Sequence, residues 1–245
     1  MSAFQLQVKN YLFSPNLIPS LTTLILLPFL VSLGFWQLDR ADQKREIDKG
    51  IHEAIAKPAL QLNTIDTSKL STEIYRTVSI KGKYDTEHQF LLDNRTHLGK
   101  PGYHVLTPFL FDNNNGKQAV LINRGWITYR GTRDNIPSIT LGNNEREILG
   151  TLKEIGDSIV LNDEVETQSN PKLIQSIQLT ELMQDLDYKL LAAIIELSKE
   201  DKDGFVREWQ PYYGSIDKHN AYALQWFSMA AILLFLFIRL NTKKV

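Results

Sequence analysis

Two stretches carry residue types that could do chemistry. In Asp217-Lys-His-Asn-Ala-Tyr-Ala-Leu-Gln-Trp-Phe227 a histidine stands at the entry to an uncharged, apolar run. A helix begun near Asp217 places Tyr222 and Trp226 at i+3 and i+7 from His219, so that one face offers an imidazole and two rings. Far upstream, Leu33-Gly-Phe-Trp-Gln-Leu-Asp-Arg40 closes another apolar run, and Trp36, Arg40 and Lys44 recur at i, i+4 and i+8. If the stretches meet, they combine a nitrogen donor, flat aromatic surface and two cations. A haem could use all three: histidine nitrogen for the iron, aromatic and aliphatic surface for the macrocycle, and cations for the propionates. The same list also describes an interfacial belt, where Trp and Tyr gather at a membrane surface and basic side chains snorkel. Residue types alone leave both readings open.

The elements that would bring the stretches together are two apolar segments. No Asp, Glu, Lys or Arg lies between Lys9 and Asp39, and the apolar part of that gap runs from 17 to 38. A second uncharged run covers 221 to 238. About 20 apolar residues at ~1.5 Å each cross a hydrocarbon core, so each segment is read as a transmembrane helix. The first ends in Phe35-Trp36-Gln37 rather than in small residues, which argues against a cleaved leader. The tails, 1–16 and 239–245, carry Lys9, Arg239, Lys243 and Lys244 and no acidic residue. The positive-inside tendency places both in the cytoplasm. With the whole chain at −1 and the tails at +4, the region 39–220 carries −5 and forms one extracytoplasmic domain. In a hairpin of two spans, the start of the second lies at the depth where the first ends.

Composition removes several classes. The chain has no cysteine, so disulfides, thiolate metal sites and thiol redox chemistry are excluded. The sequence carries no Gly-x-Ser-x-Gly elbow, phosphate loop, dinucleotide fingerprint or His-Glu-x-x-His, and an enzyme is not expected. His52, His88, His97 and His104 do not fall at metal-ligand spacing. An acidic domain without a basic, aromatic-interleaved cluster argues against nucleic acid as a partner.

After the first apolar run, Ile47, Ile51 and Ile55 form an i, i+4 ladder, so the helix is expected to continue outward until Pro58 and the turn-rich stretch after it. From Tyr75 the period changes to alternation. Strands are expected at 75–80, 89–92, 103–111, 118–123, 126–129, 147–152 and 159–161, with 112–117 as a hairpin connection. The domain is read as mainly antiparallel β. Leu179–Leu186 suits a short helix, and 190–197 suits a strand forming a hairpin with 205–209. One continuous helix over 179–199 is the alternative. Gly125 suits a turn or bulge, Trp126 a core position, and Arg124 either an ion pair with Asp93 or a partner contact.

Five motifs in order resemble the surfeit locus protein 1 family of cytochrome oxidase assembly factors. They are Leu33 to Arg40 with Lys44, Tyr75-Arg76 followed by Gly82, Gly102-Tyr-His-Val-Leu-Thr-Pro-Phe109, Asn123-Arg-Gly-Trp126, and His219 to Phe227. The resemblance implies a two-span membrane protein with a β-rich domain outside the cytoplasm. It implies a non-enzymatic role in maturing the haem-bearing catalytic subunit of cytochrome c oxidase, with that subunit, membrane lipid and enzymes of haem a synthesis as partners. It implies haem a as a transiently held cofactor, with His219 as axial ligand to the iron. Tyr222, Trp226 and Trp36 are then expected to pack the ring and Arg40 to pair with a propionate. A haem-independent scaffold for an assembly intermediate is the alternative. The location expected is the bacterial inner membrane, with both termini cytoplasmic and the central domain periplasmic.

Overall fold

The computed structural model describes residues 5–114, 116–129, 139–155, 170–209 and 214–245. In chain order these form β1 (Leu6–Val8), β2 (Tyr11–Phe13), α1 (Leu17–Ala56), β3 (Leu60–Gln61), β4 (Thr77–Tyr84), β5 (Phe90–His97), β6 (Lys100–Asn113), β7 (Gly116–Thr128), β8 (Arg146–Lys153), β9 (Lys172–Ile174), α2 (Leu179–Leu182), β10 (Leu190–Leu197), α3 (Ile216–Leu240) and β11 (Thr242–Lys244). Short 3-10 helices cover Thr67–Thr72 and Met183–Asp185. The strand expected at 159–161 lies outside the described residues. The chain divides into two compact units, residues 1–50 with 212–245 and residues 51–211.

The first unit is built on the long helices. The helix does continue beyond the first apolar segment: α1 runs for 40 residues and stops just before Pro58, with Ile51 of the isoleucine ladder buried. Helix α3 starts where Ser215 caps it, its hydroxyl accepting from the Lys218 N–H at 3.3 Å, with Asp217 in the first turn and Arg239 in the last to complement the helix dipole. Both helices are long and apolar enough to cross a membrane. Their burial pattern is inside out. On α1 the covered positions are Thr23, Leu30, Gly34, Gln37 and Ala41, and on α3 they include Ala223 and Ala230, mostly small or polar residues at alternating three- and four-residue steps. Large apolar residues such as Leu24, Ile25, Phe35, Leu224 and Phe235 point outward. Small-residue seams of this kind let helix backbones approach closely where burial of oily side chains cannot drive association.

The second unit is a β-barrel. Strand β4 pairs with β8, β8 with β10, β10 with β7, β7 with β6, and β6 returns to β4 through Lys83↔Leu110 and Tyr84↔Phe109, closing a five-stranded ring. The β7–β10 pairing is parallel and the other four are antiparallel. The result is a partly open Greek-key barrel with the strand order of OB folds. Where β4 and β6 splay apart, β3 covers one edge, and β5 with β9 extends the other, both outer pairs being parallel. The core holds Val78, Ile80, Tyr84, Phe109, Ile122, Ile148 and Ile195, with Tyr84 and Phe109 meeting edge to face at 4.9 Å.

Residues 190–197 are a strand and 179–185 a helical turn followed by a 3-10 turn, so the continuous helix over 179–199 does not form. The hairpin of 190–197 with 205–209 does not form either, because both flanks of β10 are taken by β7 and β8. Phe205 and Val206 instead bond to β7: Phe205 N–H donates to the Arg124 carbonyl at 2.7 Å, and Trp126 N–H to the Val206 carbonyl at 2.8 Å. Strand β7 bulges there to receive them, gaining one residue against β6 between His104 and Leu106. Gly125 makes the bulge possible with φ +114, and a Cβ on it would come within 2.7 Å of the Val206 carbonyl oxygen.

Candidate functional site

His219 lies in the first turns of α3, on the side of that helix that meets α1. Its Nδ1 is 2.7 Å from Oε1 of Gln37, which is itself 9% exposed. With the glutamine oxygen as acceptor, Nδ1 carries the proton and the other ring nitrogen, Nε2, keeps its lone pair. A hydrogen bond to one imidazole nitrogen is the usual device for aiming the other at a metal. Two turns further along α3, Phe227 meets Phe35 edge to face at 5.3 Å. Its ring also lies against Gly34, where an added Cβ would be 2.6 Å from the nearest ring carbon. Gly34 thus lets the helices approach closely enough for Gln37 to reach His219.

The other residues named from sequence are placed differently. Trp36 is 50% exposed, one position round the helix from Gln37, and carries the Arg40 guanidinium over its ring at 5.8 Å. Arg40 also donates to Oε1 of Gln43 at 2.8 Å, and Gln43 donates to Asp39 at 2.7 Å, so its bonds close within its own helix. Tyr222 is 52% exposed and Trp226 is half-buried. Among the described residues no ring contact joins Trp36, Tyr222 and Trp226 to one another. The structure therefore pairs His219 with Gln37 rather than with Trp36 or Arg40, whose i, i+4 face is turned away from the seam. Gln37 sits inside the quoted motif between Trp36 and Arg40. Its signal was spacing: it lies three and seven residues after Gly34 and Leu30, on the seam face.

The barrel motifs are structural. Arg124 is 2% exposed and packs between Tyr84 and Phe205, its guanidinium carbon 5.7 and 5.0 Å from the two rings. It donates to the Asp203 carbonyl at 2.9 Å and to Gln89 at 3.3 Å, tying the 198–209 segment to the barrel. Burial works against its charge and, in the same cluster, pushes the Tyr84 hydroxyl pKa well up. Arg146 ion-pairs with Asp203, and Arg207 donates to the Ser198 and Asp201 carbonyls, completing the lock. Trp126 is buried and donates to the Arg95 carbonyl at 3.0 Å. His104 is held neutral: burial, then the nearby Arg95, lowers its pKa to about 4, and its Nδ1 lies 3.0 Å from the Asn123 amide. His88 leans on Asp85 at 2.7 Å. Burial alone would raise that carboxyl's pKa, but hydrogen bonds from Tyr188, His88 and the Glu87 N–H hold it below its ordinary value. Among the described residues no group of three or more His, Cys, Asp or Glu could hold a metal ion.

Fold and site together define a class: a small β-barrel inserted in sequence between two long apolar helices that meet across a glutamine–histidine bond. The SURF1 family model matches residues 24–231, which takes in the barrel and most of both helices, and the chain belongs to the SURF1 family. It is 28% identical over 227 residues to a SURF1-like protein of Rickettsia felis, covering 89% of this chain and 95% of the relative. A SURF1-like protein of Rickettsia bellii is 32% identical over 133 residues, 53% of this chain and 51% of that protein. Surfeit locus protein 1 of Takifugu rubripes is 27% identical over 161 residues, 58% of this chain and 66% of that protein.

Proposed function

We propose that this chain is an assembly factor for a haem–copper cytochrome oxidase, which holds haem a at the outer membrane face and passes it to the haem-bearing catalytic subunit. The observation that carries the reading is the Gln37–His219 bond, which commits one imidazole nitrogen and leaves the other as a donor at the mouth of a helix pair. In this reading His219 supplies one axial nitrogen, Trp36, Tyr222 and Trp226 supply partly exposed aromatic surface, and Arg40 supplies a cation. Haem a arrives as cargo from the enzymes that make it. The protein's work is to orient, shield and release it rather than to catalyse a reaction.

In this reading α1 and α3 span the bacterial inner membrane at 17–38 and 221–238. The tails 1–16 and 239–245 are cytoplasmic, and 39–220 lies in the periplasm. The inside-out burial of the two helices supports the membrane assignment. The in-register pairing of Tyr11–Phe13 with Thr242–Lys244 supports a shared side for both tails. Cells producing His219→Ala at normal level are the test. Oxidase that accumulates without its haem a supports the reading, and oxidase of normal haem content overturns it. A second reading, a haem-independent scaffold acting through the barrel, draws on one observation: Arg40 donates to Gln43 and lies over Trp36, both within its own helix. It predicts normal haem content in that variant.

A further inference from the structure

The terminal strands build a surface that the proposed function leaves unused. β1, β2 and β11 form a three-stranded antiparallel sheet in that order, with Leu6↔Phe13 and Val8↔Tyr11 on one side, and Phe13↔Thr242 and Tyr11↔Lys244 on the other. Cross-strand partners share a face, as do residues i and i+2. One face therefore carries Leu6, Val8, Tyr11, Phe13, Thr242 and Lys244, and the opposite face Gln7, Leu12 and Lys243. Phe13 meets Phe237 of α3 edge to face at 5.9 Å, so the apolar face is the one turned toward the helix end. Beside that contact, Leu6, Val8 and Tyr11 are 50%, 58% and 54% exposed.

The sheet is held close to the helix end. Ser14 N–H donates to the Asn241 carbonyl at 2.9 Å and Asn16 N–H to its side-chain oxygen at 3.2 Å, while the Asn241 amide donates to the Phe237 carbonyl at 2.7 Å. The charge of the sheet and the adjoining end of α3 is of one sign: Lys9, Lys243 and Lys244 with Arg239, and no Asp or Glu in 1–16 or 239–245. Lys9 sits at the tip of the β1–β2 hairpin with φ +50, a conformation that ordinarily selects glycine or asparagine. A cation is presented there despite its backbone preference.

An apolar face continuous with the ends of two apolar helices, rimmed by cations, matches the boundary between acyl chains and acidic headgroups. We propose that this sheet docks on the leaflet from which the helices enter. Leu6, Val8 and Tyr11 lie in the headgroup–acyl boundary, and Lys9 and Lys244 lie among anionic phospholipid headgroups. The proposal rests on the reading that α1 and α3 cross the membrane. A sheet so seated fixes how deep α3 sits, and so the depth of His219 at its other end.

The chain's lack of cysteine allows single spin labels. Full-length Val8→Cys, Gln7→Cys and Leu234→Cys variants, each nitroxide-labelled, are reconstituted in phosphatidylcholine vesicles with and without about a third phosphatidylglycerol. Accessibility to oxygen and to a water-soluble nickel chelate is then read by electron paramagnetic resonance. The expected result is chelate protection at Val8 but not at Gln7, several-fold stronger with phosphatidylglycerol. Equal chelate access at Val8 and Gln7 would overturn the docking, and protection at Val8 that ignores lipid charge would overturn the role of the lysines. Dipolar broadening between Val8 labels would place a second copy of the chain on this face and overturn the lipid assignment. Leu234, exposed and three-quarters of the way along α3, separates the two readings: protected there, the helix spans and only the sheet has failed; open there, the membrane reading itself fails.

Discussion

Replacing Gln37 by leucine keeps the side chain's bulk and apolar stem but removes the oxygen that accepts from His219. The bond lost is 2.7 Å long and lies on a covered seam. Leaving a fully buried N–H without an acceptor costs about 1–3 kcal/mol, and this part-buried one costs less. The released imidazole can also exchange tautomers and rotate, so part of its population no longer offers Nε2 in the original direction. Partners that orient a metal-ligating histidine typically contribute about 10–100-fold to affinity. The expected loss on Gln37→Leu is therefore roughly tenfold or more in haem affinity, with about 1.4 kcal/mol per factor of ten. The assay is haem titration of the full chain in detergent, followed by absorbance, beside His219→Ala and Gln37→Glu. Glutamate keeps an oxygen and has no amide N–H, so it should retain most of the binding. Gln37→Leu that binds as tightly as the parent, while His219→Ala does not bind, would refute the orienting role.

The close approach at Gly34 gives a coupled prediction. Gly34→Ala drives its Cβ into the Phe227 ring and should destabilise the helix pair by about 1–3 kcal/mol. Adding Phe227→Ala should recover part of that, so the double-mutant cycle in detergent unfolding should be non-additive. The barrel predicts a pH effect through His104. Its folded pKa, about 4, lies below the ordinary 6.5 because burial, then Arg95, disfavours the charged ring. As pH falls the unfolded chain takes up the proton first, so stability should drop between pH 6.5 and about 4 and then level off, by roughly 3 kcal/mol at most. Urea unfolding across that window should show a His104→Gln variant with a flatter profile. A profile as steep as the parent's would contradict the assignment.

What the sequence made legible was periodic or local. The two apolar runs, the isoleucine ladder that carries α1 to Ala56, and the alternation marking β4, β6, β7 and β8 are properties of short windows. The barrel's closure is not. It depends on Lys83 and Tyr84 finding Leu110 and Phe109, and on β10 entering parallel to β7, pairings that no local pattern encodes. The 205–209 segment could not be assigned from its own residues because its partner is a one-residue bulge at Gly125. The terminal sheet joins strands of three residues across nearly the whole chain, too short to show a period. In the candidate site, residue types drew attention to Trp36 and Arg40, the conspicuous aromatic and cation of the motif. The seam instead presents Gln37, whose role follows from a three- and four-residue rhythm of small and polar positions. Arg124 reads as an ion-pair or partner residue in sequence. Its guanidinium in fact serves the core, because two aromatic faces, a carbonyl and a glutamine converge on it.

The central claim, that His219 offers its free nitrogen to haem a, meets its most direct test in the optical spectrum of the full chain purified from cells that make haem a and assemble the oxidase. Haem a absorbance is expected to co-purify with the parent protein and to be lost in His219→Ala of equal yield and folding. Parent protein that emerges without haem a under those conditions, or His219→Ala that carries as much as the parent, would contradict it.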